Sequence, residues 1–191
     1  MTSPKFNQAL AGIGLMGSFV IRRACQSDAG ALSKFAARLF RATYSSNTAA
    51  ADLDAYIYKN FNRQRQEAEI VDLSAAVFLA TTDDLIIGFA QVVVGSTESR
   101  SALLNRIYID AEWRGSGLAN DLLDTVVSES AQRGVTRLEL TVFERNARAI
   151  AFYKRAGFAA TGSTTFAVGE DLQTDVVMEM DLEARFKRRP T

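Results

Sequence analysis

The chain of 191 residues contains no histidine, a single cysteine and only two prolines. Without histidine, Ser-His and Cys-His catalytic pairs are excluded, and the commonest zinc ligand is missing. A general base must therefore be a carboxylate, a tyrosine, a lysine or water. Cys25 alone cannot form an intrachain disulfide, which fits a reducing compartment. We therefore expect a cytoplasmic protein without a bound metal, and we expect Cys25 to be a small buried residue of the first strand.

The sequence also lacks an excess of either charge and any long apolar run. Lysine plus arginine equals aspartate plus glutamate at 22 each, and the pI is about 6.3. We therefore expect no general attraction to nucleic acid or to an anionic membrane. No apolar run approaches the roughly 20 residues of a membrane span. The apolar stretch 9–17 is short and broken by glycines, so we expect a disordered extension over 1–17 rather than a signal peptide.

The apolar residues, which make up 48% of the chain, change their period along the sequence. After a first strand over 18–24, helical spacing predicts three helices over 28–44, 49–61 and 63–72. Two β-rich runs follow, over 75–82 and 85–95, and they meet at Asp83–Asp84, a hairpin signal. Next come a strand over 102–110, a helix from Gly117 to Gly134, a strand over 136–143, a helix over 146–158 and closing strands over 159–169 and 172–182. The strand over 102–110, the helix that follows it and the strand over 136–143 form a βαβ unit with parallel strands.

These elements predict one α+β domain over 18–182, followed by a basic, disordered tail over 183–191. Its sheet should be mixed and mostly antiparallel, with about seven strands and flanking helices. The glycine-rich segment "EWRGSGLAND" (112–121) lies between strand and helix in the βαβ unit. Such a turn offers free amides and the positive end of a helix, which suits a phosphate.

Three kinds of phosphate site compete for this turn. A P-loop needs a lysine after its last glycine, where this chain has Leu118 and Ala119. A dinucleotide site needs a third glycine, where this chain has Asn120. The third kind is a coenzyme A pyrophosphate site, with the pattern Gln/Arg-x-x-Gly-x-Gly/Ala after the fourth strand. Glu112 departs from its first position, but the element order agrees with it.

Two segments, "RIYIDAEWRGSGLANDLL" and "VFERNARAIAFYKRAGF", occur in the order and spacing of the GNAT superfamily of acetyl-CoA-dependent N-acetyltransferases. From Ser18 to Leu182 the chain resembles that superfamily. More loosely, "FRATYSSNTAAADLDAYIYKNF", "RQRQEAEI" and "FAVGEDLQTDVVMEMDL" are similar to a bacterial branch that includes spermidine/spermine N-acetyltransferases. The resemblance implies a sheet whose parallel pair of strands is splayed apart.

The resemblance also implies roles for particular residues. Acetyl-CoA would be bound by the turn, by the strand before it and by the start of the next helix, at Ile107, Tyr108, Ile109, Arg114, Gly115, Ser116, Gly117, Leu118, Ala119, Asn146 and Tyr153. The amide of Ile109 would face the thioester oxygen, and Tyr153 would be the general acid. The candidates for the general base are Glu144, Asp110, Glu98 and Glu112, of which we select Glu144. Asn146 has a second interpretation as an N-cap, and Tyr153 as a core residue.

The function that the resemblance implies is direct transfer of an acetyl group from acetyl-CoA to an amine. The acceptor is left open between a polyamine, a small-molecule amine and a peptide amine, and a homodimer is left open as well. The alternative is a non-catalytic acetyl-CoA-binding sensor or complex subunit. The presence of Tyr153 favours the enzyme.

Overall fold

A hairpin at Asp83–Asp84 connects two adjacent strands of the sheet, and both aspartates have positive φ, 46° and 63°. Left-handed conformation at both central residues is what a two-residue hairpin turn requires, and aspartate tolerates it. This part of the fold is therefore encoded locally. A computed structural model of the protein describes residues 10–14, 17–46, 48–168 and 171–188.

The described strands are β1 (Leu10–Gly14), β2 (Gly17–Arg23), β3 (Ala75–Thr82), β4 (Leu85–Val94), β5 (Ser101–Ile109), β6 (Arg137–Phe143), β7 (Ala159–Val168) and β8 (Asp171–Asp181). They form one sheet in the order β1-β2-β3-β4-β5-β6-β8-β7. Every neighbouring pair is antiparallel except β5 and β6, which run parallel. The predicted mixed sheet is thus confirmed, with eight strands in place of about seven.

Helices cover both faces of the sheet, so it has an apolar core on each side. The described helices are α1 (Ala29–Tyr44), α2 (Ala50–Asn60), α3 (Arg63–Val71), α4 (Leu118–Gln132), α5 (Ala147–Ala156) and α6 (Leu182–Arg188). One core packs beneath α4 and α5 and includes Leu118, Leu122 and Leu138. The other core packs beneath α1 and includes Leu32, Phe40 and residues of β3 and β4. None of the described helices is long and apolar enough to cross a membrane.

Three expectations differ from the structure. Part of the predicted N-terminal extension forms β1, since Leu10–Gly14 pairs antiparallel with β2. Residues 1–9 and 15–16 lie outside the described residues. Part of the predicted tail forms α6, which contacts the rest of the domain through a hydrogen bond from Arg185 to the Ala156 carbonyl at 2.6 Å.

The prediction that Cys25 is a buried strand residue is wrong. Cys25 is exposed and follows the end of β2. Its Sγ lies 3.0 Å from Ser27 Oγ and 3.2 Å from Asp28 Oδ2, in the turn that leads into α1. Polar contacts of the turn therefore hold the thiol at the surface.

Candidate active site

A gap opens between β5 and β6 because their pairing is short. The two strands are in register over three residue pairs, from Ser101↔Arg137 to Leu103↔Glu139. Beyond that point β5 stays paired with β4 as far as Ile109, and β6 stays paired with β8 as far as Phe143. The strands therefore diverge toward their C-terminal ends, as the predicted splayed pair requires.

The backbone of β5 presents alternate residues to this gap. The amide of Asp110 donates to the Ile87 carbonyl at 2.9 Å, so it points toward β4. Backbone groups alternate in direction along a strand, so those of Tyr108 also face β4, whereas those of Ile107 and Ile109 face the gap. Of the three residues predicted to offer backbone groups, the structure therefore brings two to the gap. The Tyr108 ring instead stacks on Phe89, with ring centroids 5.5 Å apart.

The glycine turn connects β5 to α4, and two of its residues need glycine. Gly115 and Gly117 have φ of 86° and 93°, a conformation that residues with a Cβ rarely adopt. A Cβ built on either one would meet no atom within 4 Å, so both face open space. Buried Trp113 anchors the turn against Phe19 at a ring-centroid distance of 5.8 Å. The turn is thus fixed in place while its glycines stay approachable.

The same turn leaves backbone donors free. Within the described part of the chain, the amides of Gly115, Gly117 and Ala119 have no hydrogen-bond acceptor. Ser116 is used within the turn, since its Oγ donates to the Trp113 carbonyl at 2.7 Å and accepts from the Leu118 amide at 3.3 Å. Free amides at a helix N-terminus, aligned with the helix dipole, form an anion site.

The side chains next to the turn divide into buried and exposed. Leu118 is fully buried beneath the turn, so it contributes backbone and packing rather than a ligand contact. Arg114 is exposed and enters no ion pair among the described residues. Its guanidinium adds a positive charge beside the free amides.

Asn146 caps α5, as its N-cap interpretation predicts. Its Oδ1 accepts from the Ala149 amide at 3.1 Å. Its Nδ2 has no acceptor within the described residues, so one end of the side chain serves the helix and the other is available. Gly157, with φ of 104°, ends the same helix.

Tyr153 lies on α5, in the core beneath that helix, with 7% of its surface exposed. Its ring meets Phe152 and Phe158 edge-on at 5.2 and 5.5 Å. Burial, followed by the nearby Tyr44, raises the pKa of its phenol above the usual value. The hydroxyl makes no hydrogen bond to the described residues. Tyr153 is thus a core residue with a neutral phenol, and its role as the general acid stays a prediction.

The four acids considered as general base occupy different environments. Glu144 is exposed just beyond β6, where its amide donates to the Thr174 carbonyl at 3.1 Å. Burial opposes ionisation of Asp110, but the hydrogen bond from Arg38 at 2.6 Å, together with backbone amides of the following turn, lowers its pKa overall. Glu98 precedes β5. Because β5 is nine residues long, Glu98 lies roughly 30 Å from the end of the strand at which the gap is open. Glu112 is exposed in the turn.

The sequence analysis missed a further acid, Asp175 on β8. It lies opposite Phe143, the last residue of β6, and only 5% of it is exposed. Its Oδ1 is buried without a hydrogen-bond partner. Burial raises the pKa of this carboxyl, opposed by a hydrogen bond from Thr141. The signal in the sequence was a single acid within the otherwise uncharged segment "QTDVVM" of β8.

Comparison with known proteins agrees with this geometry. Residues 36–158 match the acetyltransferase (GNAT) family. A protein of Mycobacterium tuberculosis named as an uncharacterized N-acetyltransferase is 30% identical over 156 residues, covering 82% of this chain and 99% of its own length. A shorter match, 34% identical over 64 residues, is to the spermine/spermidine N(1)-acetyltransferase of Bacillus subtilis; it covers 33% of this chain and 42% of that protein.

Among solved structures, the PaiA N-acetyltransferase of Thermoplasma acidophilum, in complex with coenzyme A, superposes with a TM-score of 0.74. The alignment covers 85% of this chain and 98% of that one, at 22% sequence identity. At this identity the likeness establishes the fold.

Proposed function

The chain belongs to the acetyltransferase (GNAT) family, and from that premise we propose that it transfers the acetyl group of acetyl-CoA to an amine by direct attack. The observation that carries the proposal is the position of the glycine turn. Its amides at Gly115, Gly117 and Ala119, which have no acceptor in the described part of the chain, lie at the end of the strand that lines the gap. An anion site and a slot for an extended group are therefore adjacent.

The residues present fit a pyrophosphate and the chain attached to it. The left-handed glycines let an anion approach the backbone without a Cβ in the way, and Arg114 adds charge beside it. The backbone groups of Ile107 and Ile109 would pair with the amide groups of pantetheine in the gap. Asn146 Nδ2 and Tyr153 would complete the site from α5.

Acetyl-CoA supplies a thioester carbon that a neutral amine attacks, and negative charge then develops on the thioester oxygen. The Ile109 amide faces the gap, where it would donate to that oxygen. The Tyr153 phenol is neutral, and burial raises its pKa further, so it holds its proton until the thiolate develops. Transfer to the departing sulfur would become favourable because the thiolate would itself be poorly solvated in the gap, and coenzyme A then leaves as a thiol. Holding both reactants in one orientation would supply much of the rate, up to about 7–11 kcal/mol.

The proton of the ammonium must leave before attack, and we assign this step to Glu144, acting directly or through water. Glu144 is exposed at the end of β6 beside the gap, so it can return the proton to solvent. Asp110 is a poorer choice because its pKa is lowered, in part by the hydrogen bond from Arg38, which makes its carboxylate a weaker base.

For the acceptor we propose a polyamine such as spermidine or spermine. The short match to the spermine/spermidine enzyme supports this choice. Several acids near the gap also favour a cationic acceptor. The alternative acceptors are a small-molecule amine and a peptide N-terminus.

The test measures release of free thiol from acetyl-CoA with spermidine, spermine, butylamine, an alanine-terminated peptide or no amine, beside calorimetry with coenzyme A. Amine-dependent thiol release supports the proposal, and preference for the peptide overturns the polyamine assignment. Binding of coenzyme A without turnover of any amine would favour the non-catalytic sensor. Absence of binding would contradict the site itself.

A further inference from the structure

Asp175 is a buried carboxylate without a cation. Its side chain belongs to the odd-numbered face of β8, which carries Gln173 and lies on the side of α1 and α2. None of the ion pairs among the described residues includes it, and its Oδ1 has no hydrogen-bond partner. A buried polar atom without a partner is costly, and each such atom in a native structure calls for an explanation, of which ligand binding is one.

Aromatic side chains surround this carboxylate. The ring centroid of Tyr44, at the end of α1, lies 6.1 Å from that of Phe143, the residue opposite Asp175 in the sheet. The ring centroid of Tyr56, on α2, lies 5.7 Å from that of Phe166 on β7. Burial raises the pKa of both tyrosines, and the field of Asp175 raises each further. Both rings are therefore close enough to the carboxylate to feel its charge, although they belong to different helices.

The charged groups nearby do not neutralise Asp175. Arg106, on the same face of β5, donates to Glu69 at 2.5 Å and to Gln91 at 2.9 Å, and its guanidinium lies over the Phe61 ring at 4.9 Å. Arg106 and Glu69 are both largely buried, and Glu69 also accepts from Arg65 at 2.8 Å, so these groups are satisfied without Asp175. Asp175 thus has no cationic partner among the described residues, and aromatic side chains lie near it.

A carboxylate beside aromatic faces is chemically suited to an organic ammonium. The carboxylate supplies the opposite charge and the ring faces attract a cation. A primary ammonium has three donors, and the Asp175 Oδ1 and the hydroxyls of Tyr44 and Tyr56 have no partners among the described residues. A metal ion is a poor fit, since no three acidic or cysteine side chains come together among the described residues.

The location relates this cluster to the gap. Asp175 pairs with Phe143, where β6 ends and the gap is open. Tyr153 belongs to the core on the opposite face of the sheet, yet Tyr44 contributes to the raised pKa of its phenol. Asp175 therefore lies beside the open part of the gap, on the face of the sheet opposite to Tyr153.

We infer that the Asp175 carboxylate, walled by Tyr44 and Tyr56, binds the ammonium group of the acceptor on the α1–α2 side of the gap. This inference rests on the proposed function and names the residue that selects a cationic acceptor. Asp175 is an ion-pairing group in it, and Glu144 keeps the proton-transfer role.

The test compares Asp175→Asn with Glu179→Gln, which removes an acid four residues along the same strand. Steady-state kinetics are measured with butylamine and spermidine, which are cations, and with hydroxylamine, which is uncharged at neutral pH. We expect Asp175→Asn to raise KM for the two cationic amines about ten- to hundredfold, as loss of a charged hydrogen bond would. KM for hydroxylamine should change less than about twofold, and Glu179→Gln should leave all three unchanged.

Two measurements separate failure of this inference from failure of the proposed function. Calorimetry with coenzyme A should give equal affinity for the wild type and Asp175→Asn, and thermal melting should show that the variant folds. If the wild type transfers acetyl groups and the folded variant keeps its KM for butylamine and spermidine, Asp175 is structural and the inference is overturned. Equal losses for charged and uncharged acceptors would also overturn it. If the wild type transfers to no amine, the proposed function fails first. Should Asp175→Asn not fold, Tyr44→Phe and Tyr56→Phe take its place, with the same expected selectivity for charged acceptors at a smaller magnitude.

Discussion

Gly117 and Gly134 flank the two ends of α4 in the same left-handed conformation, with φ of 93° and 77°. A Cβ at either position would meet nothing within 4 Å. The two glycines are therefore matched in backbone cost and in available space. They differ in that only Gly117 lies among the unpartnered amides of the turn.

This match gives a test of the anion site. We expect Gly117→Asn and Gly134→Asn to lower the free energy of unfolding similarly, by about 1 kcal/mol, because asparagine tolerates the left-handed region. Gly117→Asp should weaken coenzyme A binding at least about tenfold more than Gly117→Asn, because only the aspartate places a negative charge against the pyrophosphate. Calorimetry measures both affinities. Equal affinities in the Asp and Asn variants would exclude this turn as the phosphate site.

Tyr153→Phe should separate packing from proton donation. The hydroxyl has no partner among the described residues, so its loss should change the free energy of unfolding by less than about 0.5 kcal/mol. Coenzyme A affinity should be nearly unchanged, while kcat should fall about 10²- to 10⁴-fold if the phenol donates to the departing sulfur. Tyr58→Phe, at a residue 82% exposed, is the control. A full kcat where chemistry limits the rate would leave Tyr153 as a core residue only.

Asn146 can be dissected by keeping one end of its side chain. Asn146→Ala removes the cap on the Ala149 amide and should destabilise the protein by about 1 kcal/mol. Asn146→Asp retains a capping oxygen but loses the Nδ2 donor. We therefore expect near-wild-type stability with reduced coenzyme A affinity, measured by urea unfolding and calorimetry. Unchanged affinity in Asn146→Asp would limit the residue to capping.

The Arg22–Asp28 pair should make stability depend on pH. Arg22 donates to both carboxylate oxygens at 2.7 and 2.8 Å, and this hydrogen bonding lowers the pKa of Asp28 well below its usual value. A lowered pKa contributes stability above the unfolded-state value of about 3.9, and that contribution is lost as pH falls through the folded value.

Asp28→Asn should therefore cost about 1 kcal/mol at pH 7, with a difference from the wild type that shrinks as pH falls below about 4. Urea unfolding at pH 7, 5 and 3 measures this. Asp54→Asn, which breaks the exposed pair with Arg41, is the control and should change little at any pH. A pH-independent difference for Asp28→Asn would contradict the linkage.

What the sequence predicted well is encoded over short distances. The left-handed glycines, the Asn146 cap and the Asp83–Asp84 hairpin each depend on neighbouring residues, and each is found where it was predicted. The family motifs cover the same βαβ segment, so the turn of the candidate site was predictable as well.

What the sequence did not predict depends on register between distant strands. Asp175 is recognisable as buried only once β8 pairs with β6 and α1 and α2 cover that face. The Arg106–Glu69 pair joins β5 to α3, and nothing local in either segment indicates it.

The short pairing of β5 with β6 gives this sheet inner edges in addition to its outer ones at β1 and β7. Exposed edges are where strands of another molecule add and aggregation begins. The inner edge at 105–109 is flanked by β6, so it is less accessible to a strand of another molecule than to an extended chain of methylenes and amides. The gap therefore provides edge hydrogen-bonding capacity with little of the accompanying risk of self-association.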